Sequence, residues 1–260
     1  MPYSVAKKAR FQDIQRYLVL KFKTYLDLSL FSYTLEERLV STYRNCERVY
    51  RLPQIVTLRA CPRETEMSTS TQQVYLIRHG ETEWSLSGQH TGVTDIPLTE
   101  NGLRTAKLLQ PMLARESFAL ILTSPLQRAR KTCELAGFGE RAEIDRDLME
   151  WNYGAYEGLT TKQIRAQAPG WMLFRDGCPG GETPDQISAR VDRAIERVRA
   201  VDGDVVLFAH GHVFRVFAAR WLGFPAAAGC HFLLDTATLN ILSYYQDMPA
   251  VKRWNAALVS

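Results

Sequence analysis

Two apolar segments of the chain each end in a histidine followed by a glycine. Val74–Arg78 runs directly into His79, and Val205–Ala209 runs directly into His210. Side chains that follow a strand of an α/β sheet project from its carboxyl edge, which is where such sheets bind ligands. A histidine at such a position has either a structural or a catalytic role, and the histidine alone leaves both open. A guanidinium such as that of Arg78 next to an imidazole is electrostatically unfavourable unless an anion balances the two groups. The pair therefore indicates a site that binds an anion.

Another strand-to-helix junction carries a second arginine. The segment Thr123–Thr132 reads Thr-Ser-Pro-Leu-Gln-Arg-Ala-Arg-Lys-Thr, which puts Arg128 in the first turn of a predicted helix. The N-terminus of a helix donates backbone N–H groups to anions, and a guanidinium pairs with phosphate oxygens. Together they predict a phosphate site. The neighbouring Arg130 and Lys131 fit equally well on a solvated basic face.

One glutamate, Glu150, has Trp151, Tyr153 and Tyr156 as its neighbours in sequence. Apolar surroundings favour the protonated form of a carboxyl group, which would suit Glu150 to donate a proton in catalysis. A single carboxylate in such a segment is also compatible with an exposed loop. The residue types alone leave both interpretations open.

The histidine and cysteine spacing gives little support for a metal site. His210 and His212 are spaced as a pair of metal ligands, but no third ligand stands at a supporting position. The five cysteines are scattered and include no Cys-x-x-Cys pair, which argues against a zinc site or a disulfide framework. We therefore predict no metal and no cofactor, and we expect a reducing, cytoplasmic environment.

From residue 73 onward, short apolar segments alternate with segments of helical periodicity. This alternation predicts an α/β fold, a three-layer α/β/α sandwich around a mainly parallel central sheet. The predicted strands are Val74–Arg78, Phe118–Leu122, Ala142–Ile144, Val205–Ala209, Phe232–Leu234 and Leu239–Tyr244. The predicted helices are Thr99–Arg115, Pro125–Ala136, Thr183–Val201 and Gly211–Leu222.

The first quarter of the chain differs from the remainder in charge. Residues 1–66 carry 12 Lys and Arg against 7 Asp and Glu, whereas residues 67–260 carry 20 against 21. The net charge of +4 therefore originates in the first segment, and we predict no nucleic-acid partner for the protein. The sequence does not indicate an oligomeric state.

We assign residues 1–72 to an N-terminal extension and linker, and residues 73–260 to the folded domain. Apolar residues from Phe11 to Tyr25 recur at helical spacing, so the extension is either a helical appendage or a segment upstream of a true start at Met67. The sequence has no secretory signal and no run of about 18 apolar residues, so we expect no membrane partner.

Four motifs occur in the order found in one enzyme family. They are Arg78-His79-Gly80, Ser124-x-Leu-x-Arg128-Ala129, Glu150 ahead of Tyr153-Gly154, and His210-Gly211. Across residues 73–245 the chain resembles the histidine phosphatase superfamily, the phosphoglycerate mutase-like clan. The string Glu83-Trp-Ser-x-Ser-Gly-Gln-His-Thr-Gly92 is narrower and is similar to the branch of sedoheptulose-bisphosphatases and bacterial acid phosphatases.

The resemblance implies a phosphoglycerate mutase-like fold and a phosphohistidine mechanism without a metal. His79 would attack phosphorus, Arg78, Arg128 and His210 would hold the phosphoryl oxygens, and Glu150 would transfer protons. The family's substrate contacts fall on Ser85, Thr91, Gly92, Tyr153, Gly211 and Arg215. In the bisphosphatase branch, the position of Arg215 meets the distal phosphate of the substrate.

The chain departs from the mutases in two respects. Ser85 stands where mutases usually have asparagine, and only a short segment joins Gly158 to Glu182. We therefore expect a phosphatase of small phosphorylated metabolites, sugar phosphates or bisphosphates, with a phosphoglycerate mutase as the alternative. A second alternative is an inactive module that binds a phosphorylated ligand, which the intact catalytic positions disfavour.

Overall fold

The computed structural model describes residues 72–257 of the chain. The helix predicted from Phe11 to Tyr25 lies outside the described residues, as does all but the last residue of the predicted extension. The division of the chain at residue 72 therefore stays a prediction.

The described residues form one sheet with helices on both of its faces. The strands are β1 (Val74–Arg78), β2 (Leu120–Thr123), β3 (Glu143–Ile144), β4 (Val205–Ala209), β5 (Leu239–Tyr245) and β6 (Met248–Ala256). The α-helices are α1 (Glu83–Ser87), α2 (Glu100–Lys107), α3 (Gln110–Leu113), α4 (Gln127–Leu135), α5 (Thr161–Gln167), α6 (Leu173–Asp176), α7 (Pro184–Arg199) and α8 (Gly211–Trp221). Short 3₁₀ helices span Arg146–Leu148, Gly154–Tyr156 and Ala226–His231.

The sheet has the strand order β3-β2-β4-β1-β5-β6. The four strands β3, β2, β4 and β1 are parallel, and β5 and β6 extend the sheet in antiparallel fashion. Alternate side chains of β1 and β4 enter two cores, one packed against α7 and α8 and the other against α3 and α4. The predicted α/β/α sandwich with a mainly parallel sheet is therefore confirmed.

One predicted strand is wrong and one observed strand was not predicted. The segment Phe232–Leu234 is irregular, because its carbonyls accept side-chain hydrogen bonds: Leu233 from the indole of Trp254 at 2.6 Å and Leu234 from Arg78 at 2.5 Å. The sheet instead closes with β6, whose proline and charged residues hide its strand character. An edge strand tolerates such residues because one of its sides is unpaired.

The helix predicted over Thr99–Arg115 is divided into α2 and α3. Thr99 caps α2 by accepting the N–H of Gly102 at 3.0 Å. Pro111 then lies in the first turn of α3, where its missing N–H ends the hydrogen-bond ladder of the preceding helix. Among the described helices, none is long and apolar enough to cross a membrane.

The register of β1 and β4 sets up the functional edge of the sheet. Arg78 pairs with Ala209 at the carboxyl ends of the two strands. The backbone N–H of His79 donates to the carbonyl of Ala209 at 2.9 Å. Since α8 begins one residue after His210, the two histidines and the N-terminus of this helix meet at one edge.

Candidate active site

The imidazole of His79 is held in one tautomer. Its Nδ1 lies 2.7 Å from the carbonyl oxygen of Gly80, which can only accept, so Nδ1 carries the proton. Burial, followed by the charges of Arg78 and Arg128, holds the pKa of His79 well below its usual range. The ring is therefore neutral near pH 7, and Nε2 presents a lone pair suited to nucleophilic attack.

The guanidinium of Arg78 keeps donors available beside that nucleophile. Its Nη1 donates to the carbonyl of Leu234 at 2.5 Å, which fixes its direction. Within residues 72–257, its buried Nε has no hydrogen-bond partner. A buried N–H without an acceptor costs free energy, so the site favours an anion at this position.

Arg128 and His210 form a fully buried pair behind the cleft. Nε of Arg128 donates to Nδ1 of His210 at 3.1 Å, so the proton of the neutral imidazole lies on Nε2. This Nε2 donates to the hydroxyl of Ser124 at 2.7 Å. Burial and then the charge of Arg128 hold the pKa of His210 well below its usual range. Arg128 also donates to the carbonyls of Thr91 and Gly92 at 3.1 and 2.8 Å.

One N–H of the helix N-terminus expected to bind phosphate beside Arg128 already has a partner. The carboxylate of Asp95 accepts the N–H of Gln127 at 2.8 Å, and the side-chain amide of Gln127 donates to the carbonyl of Asp95. The phosphate site at this helix start stays a prediction.

Glu150 is buried and caps the other helix at this edge. Its carboxylate accepts the N–H groups of Trp151 at 2.9 Å, His212 at 3.0 Å and Val213 at 2.9 Å. The last two belong to the first turn of α8. Three donors and a helix N-terminus stabilise a negative charge, so the structure does not give Glu150 the purely apolar surroundings that the sequence suggested.

An aromatic and imidazole wall stands next to Glu150. The hydroxyl of Tyr153 lies 2.5 Å from Nδ1 of His212, whose Nδ1 is also 3.9 Å from the carboxylate of Glu150. The ring of His90 packs 4.8 Å from that of Tyr153. Burial lowers the pKa of His90 to about 4 and holds the pKa of His212 well below its usual range. Both imidazoles are therefore neutral hydrogen-bonding groups near pH 7.

These groups surround a small cleft that is open to solvent. The cleft is lined by Arg78, His79, Ser85, Gln89, His90, Thr91, Glu150, Tyr153, Gly211, His212, Arg215 and Leu234. Among residues 72–257, no group of three or more His, Cys, Asp or Glu side chains converges in a way that would hold a metal ion.

Comparison with known proteins agrees with this arrangement. The model of the histidine phosphatase superfamily, branch 1, matches residues 74–257. The chain belongs to this superfamily. It is an enzyme of the phosphoric monoester hydrolase class.

Individual relatives give the degree of similarity. The chain is 38% identical over 220 residues to a sedoheptulose 1,7-bisphosphatase of Saccharomyces cerevisiae, covering 72% of this chain and 80% of the relative. It is 37% identical over 182 residues to an acid phosphatase of Mycobacterium tuberculosis, covering 68% and 89%. A solved structure of a Mycobacterium tuberculosis open reading frame product superposes with a TM-score of 0.69 at 34% identity, covering 72% of this chain and 99% of that one.

The residues predicted for this histidine phosphatase fall into two groups. Most of them line the cleft: Arg78, His79, Ser85, Thr91, Glu150, Tyr153, Gly211 and Arg215. Arg128 and His210 lie directly behind its wall, as does Gly92. The N–H of Gly92 donates to Glu157 at 2.8 Å and its carbonyl accepts from Arg128, so its backbone supports the wall.

Four residues of the cleft were not predicted as site residues. Gln89 and His90 lie within the motif Glu83–Gly92, next to Thr91. Their place in this motif is the feature of the sequence that could have indicated them. His212 was considered only as a metal ligand. Leu234 contributes its carbonyl to Arg78 from an irregular segment that the sequence predicted as a strand.

Proposed function

We propose that this histidine phosphatase hydrolyses small phosphorylated metabolites, sugar phosphates or bisphosphates, through a phosphohistidine on His79. The observation that carries the proposal is the single fixed tautomer of His79, whose Nε2 lone pair stands beside Arg78 in the cleft that Glu150 also lines. The relative named as a sedoheptulose bisphosphatase supports a sugar bisphosphate as the substrate.

In the first step, Nε2 of His79 attacks phosphorus as the bond from phosphorus to the leaving oxygen breaks. The guanidinium of Arg78, backed by Arg128 and His210, stabilises the charge on the transferring group. Glu150 supplies the proton for the leaving alkoxide. The proton that Glu150 gives to the leaving group is the one that it takes from water in the second step of the preceding turnover.

In the second step, water attacks the phosphohistidine and the phosphorus–nitrogen bond breaks. Glu150, now a carboxylate, accepts a proton from the water, so one group acts as acid and then as base. Inorganic phosphate leaves, and Nε2 of His79 regains its lone pair. The buried charges of Arg78 and Arg128 favour the neutral imidazole as leaving group, because they disfavour the protonated ring.

Trapping of the phosphoenzyme tests the proposal. We expect rapid quenching with a radiolabelled substrate to show label on the protein that is lost in acid and stable in base, as for a phosphohistidine. His79→Ala should abolish labelling and lower kcat/KM by several orders of magnitude. His231→Ala, which alters an exposed histidine outside the cleft, is the matched control and should behave as the wild type. An acid-stable label would overturn the assignment.

A further inference from the structure

The loop that carries Glu150 is irregular and needs an external support. Glu150 follows the 3₁₀ helix Arg146–Leu148 and precedes a second one at Gly154–Tyr156. We propose that the ion pair between Arg190 and Glu182 is the positioning device that sets Glu150 for proton transfer. This inference rests on the proposed function, in which Glu150 is the acid and then the base.

Arg190, on α7, is buried and donates to three backbone carbonyls at and just before Glu150. Its Nη1 donates to the carbonyl of Asp147 at 2.7 Å and to that of Met149 at 2.6 Å. Its Nη2 donates to the carbonyl of Glu150 itself at 3.1 Å. A rigid guanidinium that binds three carbonyls fixes the path of the backbone through the residue whose side chain transfers the proton.

Glu182 completes the support from the other side. Its carboxylate accepts from Nε and Nη2 of Arg190 at 2.7 and 2.9 Å, and also accepts the N–H of Asn152 at 2.8 Å. Its backbone carbonyl accepts the indole N–H of Trp151 at 2.9 Å, and its N–H donates to the carbonyl of Asn152 at 2.9 Å. The pair therefore holds the loop on both sides of Glu150.

The segment next to Glu182 is pressed against the same loop. A β-carbon on Gly181 would stand 2.2 Å from the carbonyl oxygen of Asn152 and 2.8 Å from the nitrogen of Gly154. This contact requires glycine at position 181, because a β-carbon cannot be accommodated at such distances from backbone atoms. Glycine at position 181 thus permits the close approach of the two segments, independently of the ion pair.

The contacts of Arg190 separate its role from substrate binding. A guanidinium has five N–H groups, and the five hydrogen bonds of Arg190 all go to the loop and to Glu182. No donor is left for a phosphate, and Arg190 is not among the residues that line the cleft. Arg78, by contrast, has a buried Nε–H that donates to no acceptor among residues 72–257. Arg190 is a positioning residue that acts through Glu150.

The test uses leaving groups that differ in their need for a proton. An alkoxide from a sugar needs general-acid help, whereas p-nitrophenolate leaves without it. For Arg190→Lys and Glu182→Gln, we expect the single-turnover rate with an alkyl phosphate such as glycerol phosphate to fall roughly tenfold to a hundredfold. The rate of the first turnover with p-nitrophenyl phosphate should change by less than about threefold.

The second step gives an additional signature. Hydrolysis of the phosphohistidine uses Glu150 as base for either ester, so both variants should show a burst of nitrophenolate followed by slow steady-state release. Arg220→Lys is the matched control, because Arg220 forms a similar two-bond pair with Asp192 on α7 away from the loop. It should behave as the wild type in every assay.

The outcomes are distinguishable. Equal losses with both esters, or no loss with either, would show that the pair does not act through Glu150. If Arg190→Lys fails to fold, Glu182→Gln, which preserves the shape of the side chain, decides the question. Acid-labile labelling of the wild-type enzyme is measured separately, so a failure of the phosphohistidine mechanism is not confused with a failure of the positioning role.

Discussion

A β-carbon at position 211 would stand 3.2 Å from Nε of Arg78 and 3.3 Å from its Cζ. The glycine that opens α8 therefore lets the guanidinium lie against the first turn of this helix. Because Nη1 of Arg78 is bound to the carbonyl of Leu234, any movement of the side chain lengthens or redirects that bond. The observed position of the Arg78 guanidinium thus depends on the absence of a side chain at the start of α8.

Gly211→Ala should displace the guanidinium of Arg78 by a few tenths of an ångström and misdirect its donors. A charge-assisted hydrogen bond is worth about 1.5–3 kcal/mol, so we expect kcat/KM to fall by roughly tenfold to a hundredfold. A double-mutant cycle provides the control. In the background of Arg78→Ala, the same glycine substitution should cost little, because the group that it displaces is gone. Additive losses would contradict this explanation.

Arg215 offers a second positive charge in the cleft. Its Nε and Nη2 donate to the carbonyls of Gly229 and Cys230 at 3.0 and 3.3 Å, and its guanidinium stacks 4.6 Å from the ring centre of Phe174. In the described part of the chain, no carboxylate forms an ion pair with it. These contacts hold the guanidinium of Arg215 in place. Its positive charge is not neutralised, because backbone carbonyls carry no net charge.

We expect Arg215→Ala to weaken the hydrolysis of sugar bisphosphates far more than that of the matching monophosphates. The loss for bisphosphates should be roughly tenfold to a hundredfold in kcat/KM, the value of one charge-assisted contact. Comparison of the two substrates in one variant corrects for any change in packing against Phe174. Equal losses for both would withdraw the bisphosphate from the proposed substrate class.

The reaction type is tested by product analysis. The short connection from Gly158 to Glu182 holds only two small helices, α5 and α6, and leaves an open cleft beside His79 that admits water. Release of phosphate from sugar phosphates should therefore far exceed interconversion of 2- and 3-phosphoglycerate. Activity should also persist in EDTA, since two arginines and neutral imidazoles surround the nucleophile. Mutase turnover comparable with phosphate release would favour the alternative function.

The sequence predicts the strands that matter most and the residues at their ends. β1 and β4 are short segments that are apolar except for Arg78 at the end of β1, so their alternation with helices and the histidines that follow them can be recognised locally. The pairing of the two strands, which brings His79 and His210 together, is seen only in the structure. Local pattern therefore accounts for the strand-end positions of these residues, whereas the role of His79 as nucleophile and the substrate contacts came from the resemblance to the histidine phosphatase superfamily.

The remaining features depend on contacts between residues that are distant in sequence. Asp95 caps α4 across 32 residues, and Glu150 caps α8 across more than 60 residues. Neither carboxylate occupies the usual position of a helix cap in its own segment, so no local motif reveals it. The first contact occupies one N–H at the start of α4, and the second surrounds Glu150 with backbone donors that the sequence did not indicate.

Low pH should destabilise this enzyme through its buried histidines. Burial lowers the pKa of His90 to about 4 from its ordinary value of 6.5, and the pKa values of His79, His210 and His212 are also held well below that value. Below pH 6.5 the unfolded chain binds protons that the folded protein excludes, so the free energy of unfolding falls as pH falls.

For His90 alone, this loss is confined between pH 6.5 and about 4 and has a slope of at most about 1.4 kcal/mol per pH unit. Urea unfolding at several pH values measures it. His90→Gln lowers stability at every pH, because it removes ring contacts with Tyr153 and Trp171, but the dependence on pH between 6 and 4.5 should become shallower by up to that slope. His231→Gln, at an exposed position, should leave the dependence as in the wild type. A pH dependence in His90→Gln as steep as that of the wild type would show that His90 does not remain neutral in the folded protein over this range.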